Sequence, residues 1–228
     1  MNLIPPLCIG IMEIDRYDSV AEENRFSSEK LLHYSIMNVL LEIVRKYGAG
    51  QVVEIEGGLF AVIGGLDAEP MLEELAACMN RYLKLPVSFG TYAPVERAYD
   101  LHEAYLCARE ALLGRFYTTS NRIIPYREGM FASDPLPSAP REQFLDWMAR
   151  RDQEALRQAI RDLAGQYTQN GEGPKPHPDL ARERWLQVVH LFDVFLHDKG
   201  GDLYSVMPYE GKYPHHAVRT SESLQELS

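Results

Sequence analysis

The apolar positions are densest at 51–65, QVVEIEGGLFAVIGG. Val52, Val53 and Ile55 lead into Glu56-Gly57-Gly58, and Leu59, Phe60, Ala61, Val62 and Ile63 lead out. Two short β-branched apolar runs around a Gly-Gly pair predict a β-hairpin, because glycine supplies the positive φ of a tight turn. The runs are nearly continuous rather than alternating, which predicts a hairpin in mid-sheet with both faces covered. Leu7–Ile14 (LCIGIMEI) is a second compact apolar run and reads as a buried strand. A further strand is expected at 87–92 (VSFGTY), and a short last one at 122–126 (RIIPY), where Pro125 marks a sheet edge.

Between these runs the apolar period changes from two to about 3.6. Ile36, Leu40, Ile43, Val44 and Tyr47 predict an amphipathic helix over 31–47 that Gly48 stops. Ser19 and Glu22 have capping-box spacing and predict a short helical turn before it. Met71, Leu72, Leu75, Met79 and Leu83 mark a second helix, and Leu101, Tyr105, Ala108 and Leu112 a third that ends at Gly114. The order β-α-β-β-α-β predicts an α+β fold: a ferredoxin-like antiparallel sheet with helices on one face.

Residues 127–139, with Gly129, Pro135 and Pro137, read as a linker between a first domain, 1–126, and a helical segment, 140–228. In that segment Phe144, Leu145 and Met148 form one stripe, Asp152 is placed to cap a helix carrying Leu156, Ile160, Leu163 and Tyr167, and 170–178 breaks the pattern. Trp185, Val189, Phe192 and Leu196 predict the buried stripe of a last long helix, ended by Gly200-Gly201. A new helical pattern begins at 223–227, and the sequence stops inside it, so continuation of the chain is expected there.

Charge and composition narrow the function. The net charge of −10, with Lys and Arg interleaved among Asp and Glu, leaves no basic stripe for nucleic acid. The three cysteines, Cys8, Cys78 and Cys107, stand singly among apolar neighbours and predict buried thiols in a reducing compartment. No apolar run approaches the ~20 residues of a membrane span and no signal peptide is visible, so a cytoplasmic chain without membrane contact is expected.

Two acidic elements converge in the expected topology. Glu13 and Asp15 flank the end of the first strand, and Glu56-Gly57-Gly58-Leu59-Phe60 forms the turn of its neighbour. This arrangement resembles the GGDEF diguanylate cyclases of the nucleotidyl cyclase fold. The resemblance implies that Glu13 and Asp15 stand where that family's first acidic motif binds Mg²⁺, which requires hard carboxylate oxygens beside the phosphates. Aligned on Phe60, Gly58 and Leu59 replace both acidic positions of the Gly-Gly motif, and Leu59 can neither bind a metal nor accept a proton. The expectation is a degenerate domain that is not an enzyme and has no catalytic residue, bound cofactor or metal.

A second resemblance is carried by Leu101-His102-Glu103-Ala104-Tyr105, Ala108-Arg109-Glu110-Ala111, Gly114-Arg115-Phe116 and Asn121-Arg122-Ile123-Ile124, together with 38–43, NVLLEI. These resemble the divergent GGDEF-like middle domain of AraC-type bacterial transcription regulators, including two-component response regulators. Residues 148–163 and 221–224 resemble the connector that leads to their helix-turn-helix pair. The resemblance implies a signal-relay and homodimerising module in the cytoplasm, with DNA reached only through a helix-turn-helix domain outside this chain. The other class open to the sequence is a sensory domain that binds GTP or cyclic di-GMP, or a weakly active cyclase.

His190, Asp193 and His197 share one helix face and carry metal-ligand chemistry. That face lies opposite the apolar stripe, so it reads as a solvated surface, and His215-His216 as a loop pair that does not co-ligate.

Overall fold

The computed structural model describes residues 4–15, 17, 29–48, 50–118, 123–132, 141–168, 174–206 and 213–224. The chain divides into two compact units, Met1–Glu128 and Gly129–Ser228. The first runs β1 (Leu7–Ile14), α1 (Glu29–Lys46), β2 (Gly50–Glu56), β3 (Leu59–Gly65), α2 (Glu69–Cys78), β4 (Val87–Val95), α3 (Leu101–Leu113) and β5 (Ile123–Pro125). The turn expected around Ser19 and Glu22 lies outside the described residues.

The five strands form one sheet in the order β2-β3-β1-β4-β5. β1 is central and antiparallel to both β3 and β4, β2 is antiparallel to β3, and β5 adds parallel to β4 at one edge. The α+β class and the expected pairing of the first strand with the hairpin are both realised.

The helices do not lie on one face. Cys8, Met12 and Ile14 of β1 join Phe60 and Val62 of β3 in a core with Leu32, Ile36 and Leu40 of α1 and Met71, Leu72 and Leu75 of α2. The intervening residues Leu7, Ile9 and Ile11 join Leu59, Ala61 and Ile63 in a second core with Ala104, Ala108 and Leu112 of α3. A strand's side chains alternate between faces, so a run apolar at every position needs a helical layer on each side. The sheet is therefore the middle of three layers.

The hairpin is also asymmetric. β3 is buried along nearly its whole length, but β2 is an edge strand with Val53 and Ile55 exposed, not a mid-sheet strand. The Glu residues alternating with its apolar ones give that edge its charge. α3 sits unusually close to β4: a Cβ on Gly90 would fall 2.0 Å from Ala108 O and 2.4 Å from Leu112 N. Ala104, Ala108 and Ala111, all buried, supply the small helix surface that this approach requires. Of the cysteines, Cys8 is buried, whereas Cys78 and Cys107 are half-buried; all three are free.

The second unit carries α4 (Arg141–Arg150), α5 (Gln153–Thr168), α6 (Pro178–Asp198), α7 (Leu203–Val206) and α8 (Pro214–Thr220). Asp152 Oδ1 accepts from Ala155 N at 3.0 Å, the expected cap of α5. Phe131–Ala132 (β6), inside the range read as a linker, pairs in parallel with Lys175–Pro176 (β7). On α6 the buried residues are Pro178, Ala181, Arg184, Trp185, Val188 and Leu191. Val189, Phe192 and Leu196 are only half-buried. The buried stripe is thus rotated from the expected one by about a residue, because α6 is apolar over much of its circumference and its neighbours select the face. No helix among the described residues is long and apolar enough to cross a membrane.

Candidate functional site

The C-terminal end of β1 meets three other elements. Glu13 is paired with Leu59 on β3 and with Ser88 on β4. At the last residue of the strand Ile14 N donates to Gly58 O, and one residue beyond it Asp15 N donates to Pro86 O, each at 3.0 Å. These two bonds fix the Gly-Gly turn on one side of the β1 terminus and the start of β4 on the other.

The side chains meet a cation supplied by the chain itself. Arg115 lies in the 3₁₀ turn Gly114–Tyr117 that follows α3, a turn anchored by the buried Phe116. Its Nη2 lies 3.0 Å from Glu13 Oε1 and its Nη1 lies 3.0 Å from Asp15 Oδ1. The Arg115 and Asp15 side chains are 16% and 11% exposed, and that of Glu13 36%, so the Asp15 pair is the shielded one. Ser88 Oγ also donates to Asp15 Oδ1, at 3.4 Å, while Asp15 Oδ2 is buried with no hydrogen-bond partner. A guanidinium between two carboxylates satisfies the electrostatic demand that a bound cation would otherwise meet, and a metal would have to displace it.

The turn residues are committed to packing. Glu56 is exposed at the end of β2. Gly58 adopts φ +79, and a Cβ there would lie 2.7 Å from Tyr17 Cγ; a Cβ on Gly57 would lie 3.3 Å from Tyr17 Cε1. The Tyr17 ring therefore lies against the Gly-Gly turn, so the space that side-chain-free residues leave is filled from within. Leu59 is buried in the α3-side core and Phe60 in the opposite one. At Leu59 an acidic side chain would enter an apolar layer.

The structure thus gathers Glu13, Asp15, Gly57, Gly58, Leu59 and Phe60 around the end of β1, with Glu56 at the rim. Arg115 joins this site without having been among the site residues expected from the sequence. The available signal was physical: two acidic residues at the end of a buried strand require a countercharge. Nothing in the linear pattern says which of the basic residues supplies it. An open groove of about 270 Å³, bordered by Tyr92, Pro94, Arg97, Asp100 and Glu103, lies toward the opposite end of β4 and does not include these residues.

No protein-family model matches the chain, and no curated protein matches it. Among solved structures it is similar to the active GGEEF domain of a diguanylate cyclase from Vibrio cholerae, with 12% identity and a TM-score of 0.46, over 54% of this chain and 83% of that one. It is similar to an EAL/GGDEF domain protein from M. capsulatus, with 14% identity and a TM-score of 0.42, over 54% and 85%. It is also similar to a bacterial light-regulated adenylyl cyclase, with 14% identity and a TM-score of 0.31, over 38% and 52%.

In the second unit the trio His190, Asp193 and His197 is not the one that converges. His190 and Asp193 meet His215 of α8 instead, with one ligand atom from each lying within 4.8 Å of the others.

Proposed function

We propose that the chain is a non-enzymatic signalling module: a cyclase-like domain followed by a helical connector, serving as the relay and dimerising region of an AraC-type bacterial transcription regulator. The observation that carries the non-enzymatic reading is Arg115, whose guanidinium pairs with both Glu13 and Asp15 where catalysis would need a divalent metal. Leu59, buried and apolar, and Tyr17, packed on the Gly-Gly turn, support the same reading. The regulator context rests on the sequence resemblance of the third helix and of the connector. In that context a closed domain contributes contacts rather than chemistry, and dimer geometry would set the spacing of DNA half-sites.

The activity test is direct. Purified protein with GTP and Mg²⁺ or Mn²⁺ yields no cyclic di-GMP by chromatography; turnover that disappears in Glu13→Ala would overturn the reading. A thermal shift with GTP or cyclic di-GMP, absent turnover, would replace it with a nucleotide-sensing role. The regulator role is tested with the product of the complete reading frame in a DNA-binding assay at fixed salt. Deleting 1–126 changes its affinity or cooperativity at a promoter site, and an unchanged response refutes the relay.

A further inference from the structure

We propose that His190, Asp193 and His215 form a site for one first-row transition-metal dication, with zinc as the representative ion. The three side chains come from two separate helices. His190 and Asp193 are one turn apart on α6, and His215 is on α8. One ligand atom from each lies within 4.8 Å of the other two. Three atoms so placed surround a point no more than about 2.8 Å from each, against the roughly 2.0–2.2 Å of a zinc bond to imidazole nitrogen or carboxylate oxygen. Small side-chain rotations close that difference.

The donor set selects the class of ion. Two imidazoles and one carboxylate suit zinc, iron, cobalt or nickel, whereas magnesium and calcium prefer oxygen donors. Asp193 and His215 are half-buried and His190 is exposed, so the open coordination position faces solvent and takes a water. The three side chains make no hydrogen bond or ion pair with one another or with any other described residue, although Asp193 and His215 are partly withdrawn from water. Their ligand atoms are thus free to turn toward one shared cation.

The consequence is mechanical. α8 has only seven residues, too few to persist as a helix without tertiary contacts. It is held by the burial of Val218 and, just after it, by Arg182 Nε and Nη2 donating to Ser221 O at 3.1 and 2.9 Å. An ion shared between α6 and α8 would be a third fastening, one that depends on metal supply. His197 lies outside the cluster and His216 is an exposed neighbour of His215, so both serve as controls.

The test uses the whole chain, free of affinity-tag histidines and stripped with a chelator. Zn²⁺ is titrated calorimetrically and Co²⁺ by its visible absorption. The expected result is one ion per chain, a Co²⁺ spectrum of a nitrogen–oxygen site, and a rise in Tm with Zn²⁺. His190→Ala, Asp193→Asn and His215→Ala each weaken binding about tenfold or more, while His197→Ala and His216→Ala bind as the parent does. Circular dichroism identifies any variant that has lost its fold, and the isosteric Asp193→Asn decides the matter if the alanine variants have. Absence of stoichiometric binding overturns the proposal. So does undiminished binding by folded Asp193→Asn and His215→Ala, because it would place the ion elsewhere, for example on a cysteine.

Discussion

Arg115 Nη1 donates to Asp15 Oδ1 at 3.0 Å across a separation of 100 residues. The contact joins the turn after α3 to the end of β1, and the same guanidinium reaches Glu13. It converts a strand end that could hold a metal into one that already holds a positive charge.

Removing that charge while keeping the bulk isolates its role. Arg115→Met leaves the shielded Asp15 carboxylate without its cation, at an expected cost of about 2–4 kcal/mol in urea denaturation. Asp15→Asn in the same background recovers part of the loss, since the buried charge is then gone as well. The single variant also acquires an Mn²⁺-dependent rise in Tm that the parent lacks. Equal Mn²⁺ responses in parent and variant would show that Arg115 does not occupy the cation position.

Gly90→Ala tests the close approach of α3 to β4. Its Cβ would meet backbone atoms of α3, 2.0 Å from Ala108 O and 2.4 Å from Leu112 N, so no side-chain rotation relieves the clash. The helix must move off the sheet, which exposes the core it covers. Expected destabilisation is about 3 kcal/mol or more, or failure to accumulate as folded protein. Gly129→Ala serves as an open-space comparison at a positive φ and costs far less. Near-equal losses would refute the packing argument.

The buried face of α6 predicts an order of effects. Trp185 is 6% exposed, and truncation to Ala costs on the order of 3–5 kcal/mol. Val189→Ala, from the half-buried flank, costs roughly 1 kcal/mol or less. If Val189 proved the costlier site, the face assigned to α6 would be wrong.

Burial, with Glu69 adding to it, pushes the Cys8 thiol up from 9.0 to about 11. The folded state therefore holds the proton more tightly than the unfolded chain does. That contribution is complete below the unfolded value and is lost as pH rises through the folded one, so the window is about pH 9–11. Two pH units correspond to on the order of 2–3 kcal/mol. Stability of the parent falls across this window more steeply than that of Cys8→Ala, measured as urea midpoints. Cys8 also resists alkylation at pH 8 until the protein is unfolded. Parallel profiles for the two proteins, or rapid alkylation of native Cys8, would contradict the assignment.

Local chemistry in the sequence determined the elements of the first unit. LCIGIMEI is a strand because its apolar residues leave no helical period, and Gly48 and Gly58 take the positive φ that ends a helix and turns a hairpin. The α+β class and the pairing of β1 with the hairpin follow from those elements and their order. Tertiary structure decided what lies on each face of them. A run apolar at every position states that both faces are covered, yet only packing shows that α3 takes one and α1 with α2 the other. Neighbouring apolar runs left β2 at an edge and β3 in the sheet interior, because pairing partners, not composition alone, choose the position. The two groupings that carry the functional argument are equally non-local. Arg115 reaches Asp15, and His215 takes the place of His197 beside His190 and Asp193, through folds that bring distant chain segments together. Periodicity records which residues share an element's face, and carries no information about which other segment arrives opposite it.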